Sequence, residues 1–207
     1  MCFCATGSFA ASGVLVVAGA ATLAVAESEE LMLALLPIFF AVQQAIEGWQ
    51  WLVPHPSAQS AILGKLYLFF AFVFWPVYIP WMVYSVESDK HRRGILRWFI
   101  ATGLMLSLVL LGFLILKPVD VVLHPLGIFY SIDVPPLWEL LAWYVIATCG
   151  SMLVSSRKGI RWLGFVTFLA VIMALAISLG SYVSVWCFFS ALLSLFVYFV
   201  VDKKVGI

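Results

Sequence analysis

The sequence predicts an all-α membrane protein: a seven-transmembrane-helix bundle with its N-terminus outside and its C-terminus cytoplasmic. Three observations lead there. Of 207 residues, 65% are hydrophobic and 10% charged, and the mean hydropathy of +1.13 lies far from soluble globular averages. Seven apolar segments approach the roughly 20 residues that a helix needs to cross about 30 Å of hydrocarbon. Finally, lysine and arginine gather on one side of the segments so defined, which sets the orientation.

The segments fall at about 8–26, 31–52, 61–84, 94–116, 136–154, 160–178 and 181–201, with ends uncertain by a few residues. They form one domain over 1–207 and leave no room for a soluble one. With a cytoplasmic C-terminus, Lys90, Arg92, Arg93, Arg97, Arg157, Lys158, Arg161, Lys203 and Lys204 lie inside, and only Lys65 and Lys117 outside. Nine against two is the bias expected of short cytoplasmic loops, and it sets the orientation. Segment 1 lacks the basic region that opens a secretory signal peptide. Residues 118–135 form the long external loop. Its β-rich runs Val119 to Leu123 and Ile128 to Val134 flank "HPLG", which fits either a short hairpin over the outer mouth or an irregular amphipathic loop.

Segment 1 is rich in small residues, including Gly7, Ala11, Gly13 and Gly19, that let helices approach closely. Segment 3 carries Pro76 and Pro80, four residues apart, and must bend because each removes a backbone donor and clashes with the preceding turn. Tryptophans cluster near segment ends, as interfacial belts do.

Segment 2, "LMLALLPIFFAVQQAIEGWQWL", carries the chemistry. Gln43, Glu47 and Gln50 recur at helical spacing with Gln44 beside them, making one polar stripe on an apolar helix. An ionisable group inside a span costs about 2.5–3.5 kcal/mol and faces the bundle interior or a wet cavity. Either Glu47 and the glutamines bond helices together, or they line a site. Glu139, near the outer end of segment 5, is a second carboxylate at similar depth, and the two could share a proton or a cation. His55 and His124 lie in the outer loops. With Cys2, Glu47 and Glu139 they are the candidate ligands for a transition-metal ion, although no HxxxH or HExxH spacing supports one. If Met1 is removed, Cys2 offers an α-amine and a thiol on one residue, a pair that can chelate a metal or supply a nucleophile.

The scattered basic residues exclude a nucleic-acid groove. A retinal Schiff base in segment 7 is excluded because that segment has no lysine. No phosphate-binding loop or Gly-x-Ser-x-Gly elbow occurs.

The stretches Met1-Cys2-Phe3, Ala5 and Ser8-Phe9-Ala10, with "QQAIEGWQWL" (43–52) and "LFFAFVFWPVYIP" (68–80), resemble a family of small bacterial integral membrane proteins that begin Met-Cys-Phe-Ser-Ala. Cys4 departs from the serine of that pattern and is the weaker thiol candidate. The resemblance implies a shared fold and a shared site at Cys2 and the Gln-Gln-x-x-Glu-Gly stripe, and it brings no known reaction.

The leading expectation is an outward-facing polar cavity that binds or transports a small solute or metal ion through Cys2, Gln43, Gln44, Glu47, Glu139 and His124. An intramembrane enzyme is the second reading, with Cys2 and Glu47 as catalytic candidates, metal-dependent or thiol-dependent, acting on a lipid or acyl substrate. A structural or accessory membrane subunit is the third. The lipid bilayer is the one partner common to all three.

Overall fold

A computed structural model describes residues 4–133 and 137–202; Cys2 lies outside them. Six helices are long and apolar enough to cross a membrane: α1 (Ala5–Val25), α2 (Ser28–Gln50), α3 (Ala58–Val86), α4 (Lys90–Leu116), α6 (Lys158–Ile177) and α7 (Tyr182–Val201). A shorter apolar helix, α5 (Trp138–Val154), stands between α4 and α6. By length and composition these helices mark the chain as an integral membrane protein. Each helix packs against its successor, and α7 returns to touch α1, so the seven close into a ring; contacts of α7 with α2 and of α3 with α5 fill the middle.

The loop after α4 is a hairpin. Strand β1 (Asp120–His124) pairs antiparallel with β2 (Gly127–Ser131), with His124 opposite Gly127. The pairing leaves a two-residue turn, and Gly127 takes a φ of +135° that only glycine adopts without strain. Packing fixes the hairpin to the bundle end: β1 rests on α3 and β2 on α7, and Tyr130 stacks on Tyr67 with ring centroids 4.6 Å apart. Of the two expectations for this loop, the hairpin is the one that forms. Alternating residues Val121, Ile128 and Tyr130 are buried while Val122 and Phe129 face out, as a half-covered sheet requires.

The proline pair alters the hydrogen bonding of α3 as its chemistry demands. Pro76 cannot donate to Phe72, and the chain widens into a π-helical turn at Phe69–Phe74 just before it. Next to it, the Val73 carbonyl accepts from Ser107 Oγ of α4 at 2.8 Å. Pro80 likewise deprives Pro76 of its helical donor, and Gly103 of α4 lies directly against the Pro76 carbonyl. A second π-helical turn, Ile146–Gly150, interrupts α5. There Thr148 Oγ1 donates to the Tyr144 carbonyl at 2.8 Å.

Charged groups mark the bundle end opposite the hairpin. Buried Glu30 pairs with Arg157 at 2.5 Å. Arg92 donates to the carbonyls of Val154 and Ser155, and Arg161 to those of Ser155 and Ser156, so two arginines cap the C-terminal carbonyls of α5. Glu87, between α3 and α4, accepts from the amides of Ser156 at 2.6 Å and Asp89 at 3.0 Å. Burial alone would push its carboxyl up, but those hydrogen bonds and Arg92 hold it below the usual carboxylate range. A carboxyl lowered by folding adds stability above its unfolded value of about 4.3, and that stability is lost as pH falls through the folded value. The unfolding midpoint in detergent should therefore drop as pH is lowered from about 5 to 3, and Glu87→Gln should flatten part of that slope. Parallel slopes in the two proteins would contradict this role for Glu87.

Candidate functional site

The polar stripe of α2 is wholly buried: Gln43, Gln44 and Gln50 have no exposed surface, and Glu47 keeps 2%. Its burial follows from what surrounds it. Helix α1 lies along α2, and Gly48 gives the Phe9 ring its place, since a methyl group there would strike that ring. Helices α3 and α7 cover the other flanks.

Each polar side chain of the stripe reaches a different neighbour. Gln43 Oε1 accepts from the indole Nε1 of Trp75 at 2.8 Å. Gln44 Nε2 donates to Glu47 Oε2 at 3.2 Å. Ser184 Oγ of α7 donates to Glu47 Oε1. Gln50 Nε2 lies 2.8 Å from Ser60 Oγ and 2.9 Å from His55 Nε2. The stripe thus ties α2 to α3 and α7, which is what hydrogen-bonding glue would do.

Glue does not account for everything present. Among the described residues no cation pairs with Glu47; the salt bridges there are Lys117 with Asp133 and Arg157 with Glu30. A buried carboxylate among neutral groups must have its charge matched, by a proton or by a bound cation. Buried polar atoms without hydrogen-bond partners occur on the stripe itself, at Gln43 Nε2, Gln44 Oε1 and Gln50 Oε1, and elsewhere in the bundle at the hydroxyls of the stacked Tyr67 and Tyr130 and at Trp186 Nε1. Such atoms are rare in folded proteins, and each costs about 1–3 kcal/mol when left unpaired.

The hairpin closes this cluster from its end of the bundle. Ile128 N donates to Ser184 Oγ at 3.3 Å, so β2, Ser184 and Glu47 form one hydrogen-bonded line. Gly127 sits against Ser181, Ser184 and Val185, where any side chain would crowd α7.

The other candidates stand apart from Glu47. Glu139 is exposed on the first turn of α5, whereas the hydrogen-bond partners of Glu47 are Gln44 and Ser184; the paired-carboxylate arrangement does not form, because α5 turns that face outward. His124 is exposed beside the hairpin turn, its Nδ1 accepting from Leu126 N at 3.3 Å. His55 is half-buried and engaged by Gln50. Among the described residues no three His, Cys, Asp or Glu side chains come together as metal ligands, so Glu47, His55, His124 and Glu139 do not form one metal site. Cys2 lies outside the described residues, and Cys4 stands at the N-cap of α1.

Ser184, Cys187, Tyr67, Tyr130, Trp75 and Trp186 were not singled out by the sequence. Segment 7 did carry a signal: Ser181 and Ser184 are small polar residues one turn apart at the start of an apolar helix, and Ser184 is the one that bonds the α2 stripe. The tyrosines and tryptophans gave none, since an interfacial belt explains them equally well.

Comparison with known proteins gives kinship without an activity. No curated protein and no solved structure matches the chain. A match to the model of DUF6629, a family of unknown function, runs over residues 1–206, and the chain accordingly belongs to that family.

Proposed function

We propose that this is a seven-span protein of the bacterial cytoplasmic membrane, N-terminus outside, whose outer half binds a small polar solute with Glu47 as the charged contact. Helix α5, though short, is the remaining span; the nine-to-two bias of basic residues sets the direction. In that orientation the hairpin and the Glu47 cluster face outward, and the Arg92, Arg157 and Arg161 cluster faces the cytoplasm. The observation that carries the reading is a buried carboxylate with neutral partners only, on a helix stripe whose glutamines keep unpartnered amide atoms. A solute with a positive charge and hydrogen-bonding groups satisfies both; an anion is repelled.

Methylammonium is the simplest probe of such a site. It should raise the unfolding midpoint of the detergent-solubilised protein in a saturable way at pH 7, since a ligand that binds only the folded state stabilises it. Glu47→Gln, which keeps the size but removes the charge and exchanges one accepting oxygen for an NH2 donor, should abolish the saturable part. An equal shift in both proteins would be a salt effect and would contradict a role for Glu47.

A further inference from the structure

Not every cation at the bundle end opposite the hairpin is taken up by packing. Helix α6 opens with Lys158, Arg161, Trp162 and Phe165 at spacings of three and four residues, which puts all of them on one face. That face and Leu153 of α5 line an open groove of about 450 Å³. Its apolar wall is uncovered: Trp162 is 60% exposed, Phe165 44% and Leu153 43%, with the two rings edge to face at 5.9 Å. Its two cations lack an anion. The salt bridges among the described residues are Lys117 with Asp133 and Arg157 with Glu30. Arg161 uses only Nη1, on the Ser155 and Ser156 carbonyls, and Lys158 is exposed. The groove is also held in shape, because Glu30 fixes Arg157 and Glu87 fixes Ser156 in the link between α5 and α6.

From this juxtaposition of unpaired cations and bare aromatic wall we infer that the groove binds an anionic diacyl phospholipid, its phosphate between Lys158 and Arg161 and its chains against Trp162 and Phe165. Basic grooves between spanning helices at the cytoplasmic side recognise such head groups. Size selects the occupant. At roughly 30 Å³ for a water-sized group, the groove takes about fifteen such groups, enough for a glycerophosphate head and the first methylenes of a chain, whereas a free phosphate would leave the aromatic wall bare. A second groove, about 210 Å³, lies on the other side of Trp162 along Val166, Leu193 and Phe196, so the two chains of one lipid can straddle the indole. Charge selects the head: a zwitterionic lipid would bring a cation of its own against two others. In the proposed orientation this end faces the cytoplasm, the side whose leaflet attracts basic segments through its anionic lipids. Glu47 takes no part, so the two sites stand or fall separately.

The test is the binding of dioleoyl phosphatidylglycerol and dioleoyl phosphatidylcholine to the full chain in detergent, measured as dissociation constants by native mass spectrometry. Each cation beside an anionic head group is worth about fivefold, so phosphatidylglycerol should bind about 25-fold more tightly. Lys158→Gln, at a side chain with no partner to lose, should cut that preference about fivefold. Lys90→Gln removes an exposed lysine of α4 at the same bundle end and should leave the preference unchanged, as should Glu47→Gln. Trp162→Ala should weaken both lipids alike. Equal binding of the two lipids would overturn the inference, and so would Trp162→Ala that weakens neither. An equal loss in Lys90→Gln and Lys158→Gln would mean diffuse surface charge and would overturn it too. Displacement of the lipid by an equal concentration of glycerol 3-phosphate would mean a site for free phosphate esters, which is a different site from the one inferred.

Discussion

Gly103→Ala is expected to cost about 3 kcal/mol of stability, the top of the usual range for an overpacked site. The reason lies in backbone, not side chains. Pro80 cannot donate to the Pro76 carbonyl, and α4 approaches that carbonyl so closely that a Cβ on residue 103 would overlap its oxygen. A flexible side chain could swing aside; a carbonyl held between two prolines cannot. Relief would need α3 and α4 to separate, which would also pull Ser107 from the Val73 carbonyl. Gly112→Ala on the same helix is the control, because a Cβ there meets nothing within 4 Å. It should be neutral, or stabilising by up to about 1 kcal/mol through helix propensity. The unfolding midpoints of both variants in one detergent check this, and equal midpoints would contradict the close approach of α3 to α4.

Much of this architecture could be read from the chain because a bilayer enforces it. Apolar length announces a spanning helix with little interference from tertiary context, as α4 and α7 illustrate. The disturbed hydrogen bonding of α3 was equally legible, since proline chemistry is local. Its form was not: the π-helical turn at Phe69–Phe74 and the Gly103 notch depend on which helix lies opposite. The hairpin was half legible, its β-rich runs plain and its pairing dependent on docking against Tyr67 and Ser184.

The candidate site divides in the same way. The Gln43, Gln44, Glu47 and Gln50 stripe stood out because amides and a carboxyl are rare in a span. Its partners did not, because serine and tryptophan are ordinary residues there and acquire a role only by facing the stripe. Glu139 shows the converse error of inference. Equal depth along the membrane normal does not bring two side chains together; rotation about the helix axis decides that, and α5 points Glu139 outward.

The second large effect concerns Glu47 directly. Dicyclohexylcarbodiimide is apolar and adds to a protonated carboxyl, where rearrangement leaves a stable N-acylurea that carries the whole reagent. Solvent-facing carboxyls such as Glu139 lose the adduct to hydrolysis. Glu47, buried among neutral groups, is expected to be the principal modified residue, and Glu47→Gln should remove that adduct while Glu139→Gln retains it. A bound ammonium competes for the same oxygens. At ten times its dissociation constant, about one site in ten stays free, so methylammonium should slow modification about tenfold.

The most direct measurement is therefore the intact mass of the full chain after timed carbodiimide treatment, with and without methylammonium, followed by peptide mapping. A single adduct at Glu47, suppressed about tenfold by methylammonium, is the predicted result. Modification that maps elsewhere, or that proceeds at Glu47 at the same rate with methylammonium present, would contradict Glu47 as the charged contact of a binding site.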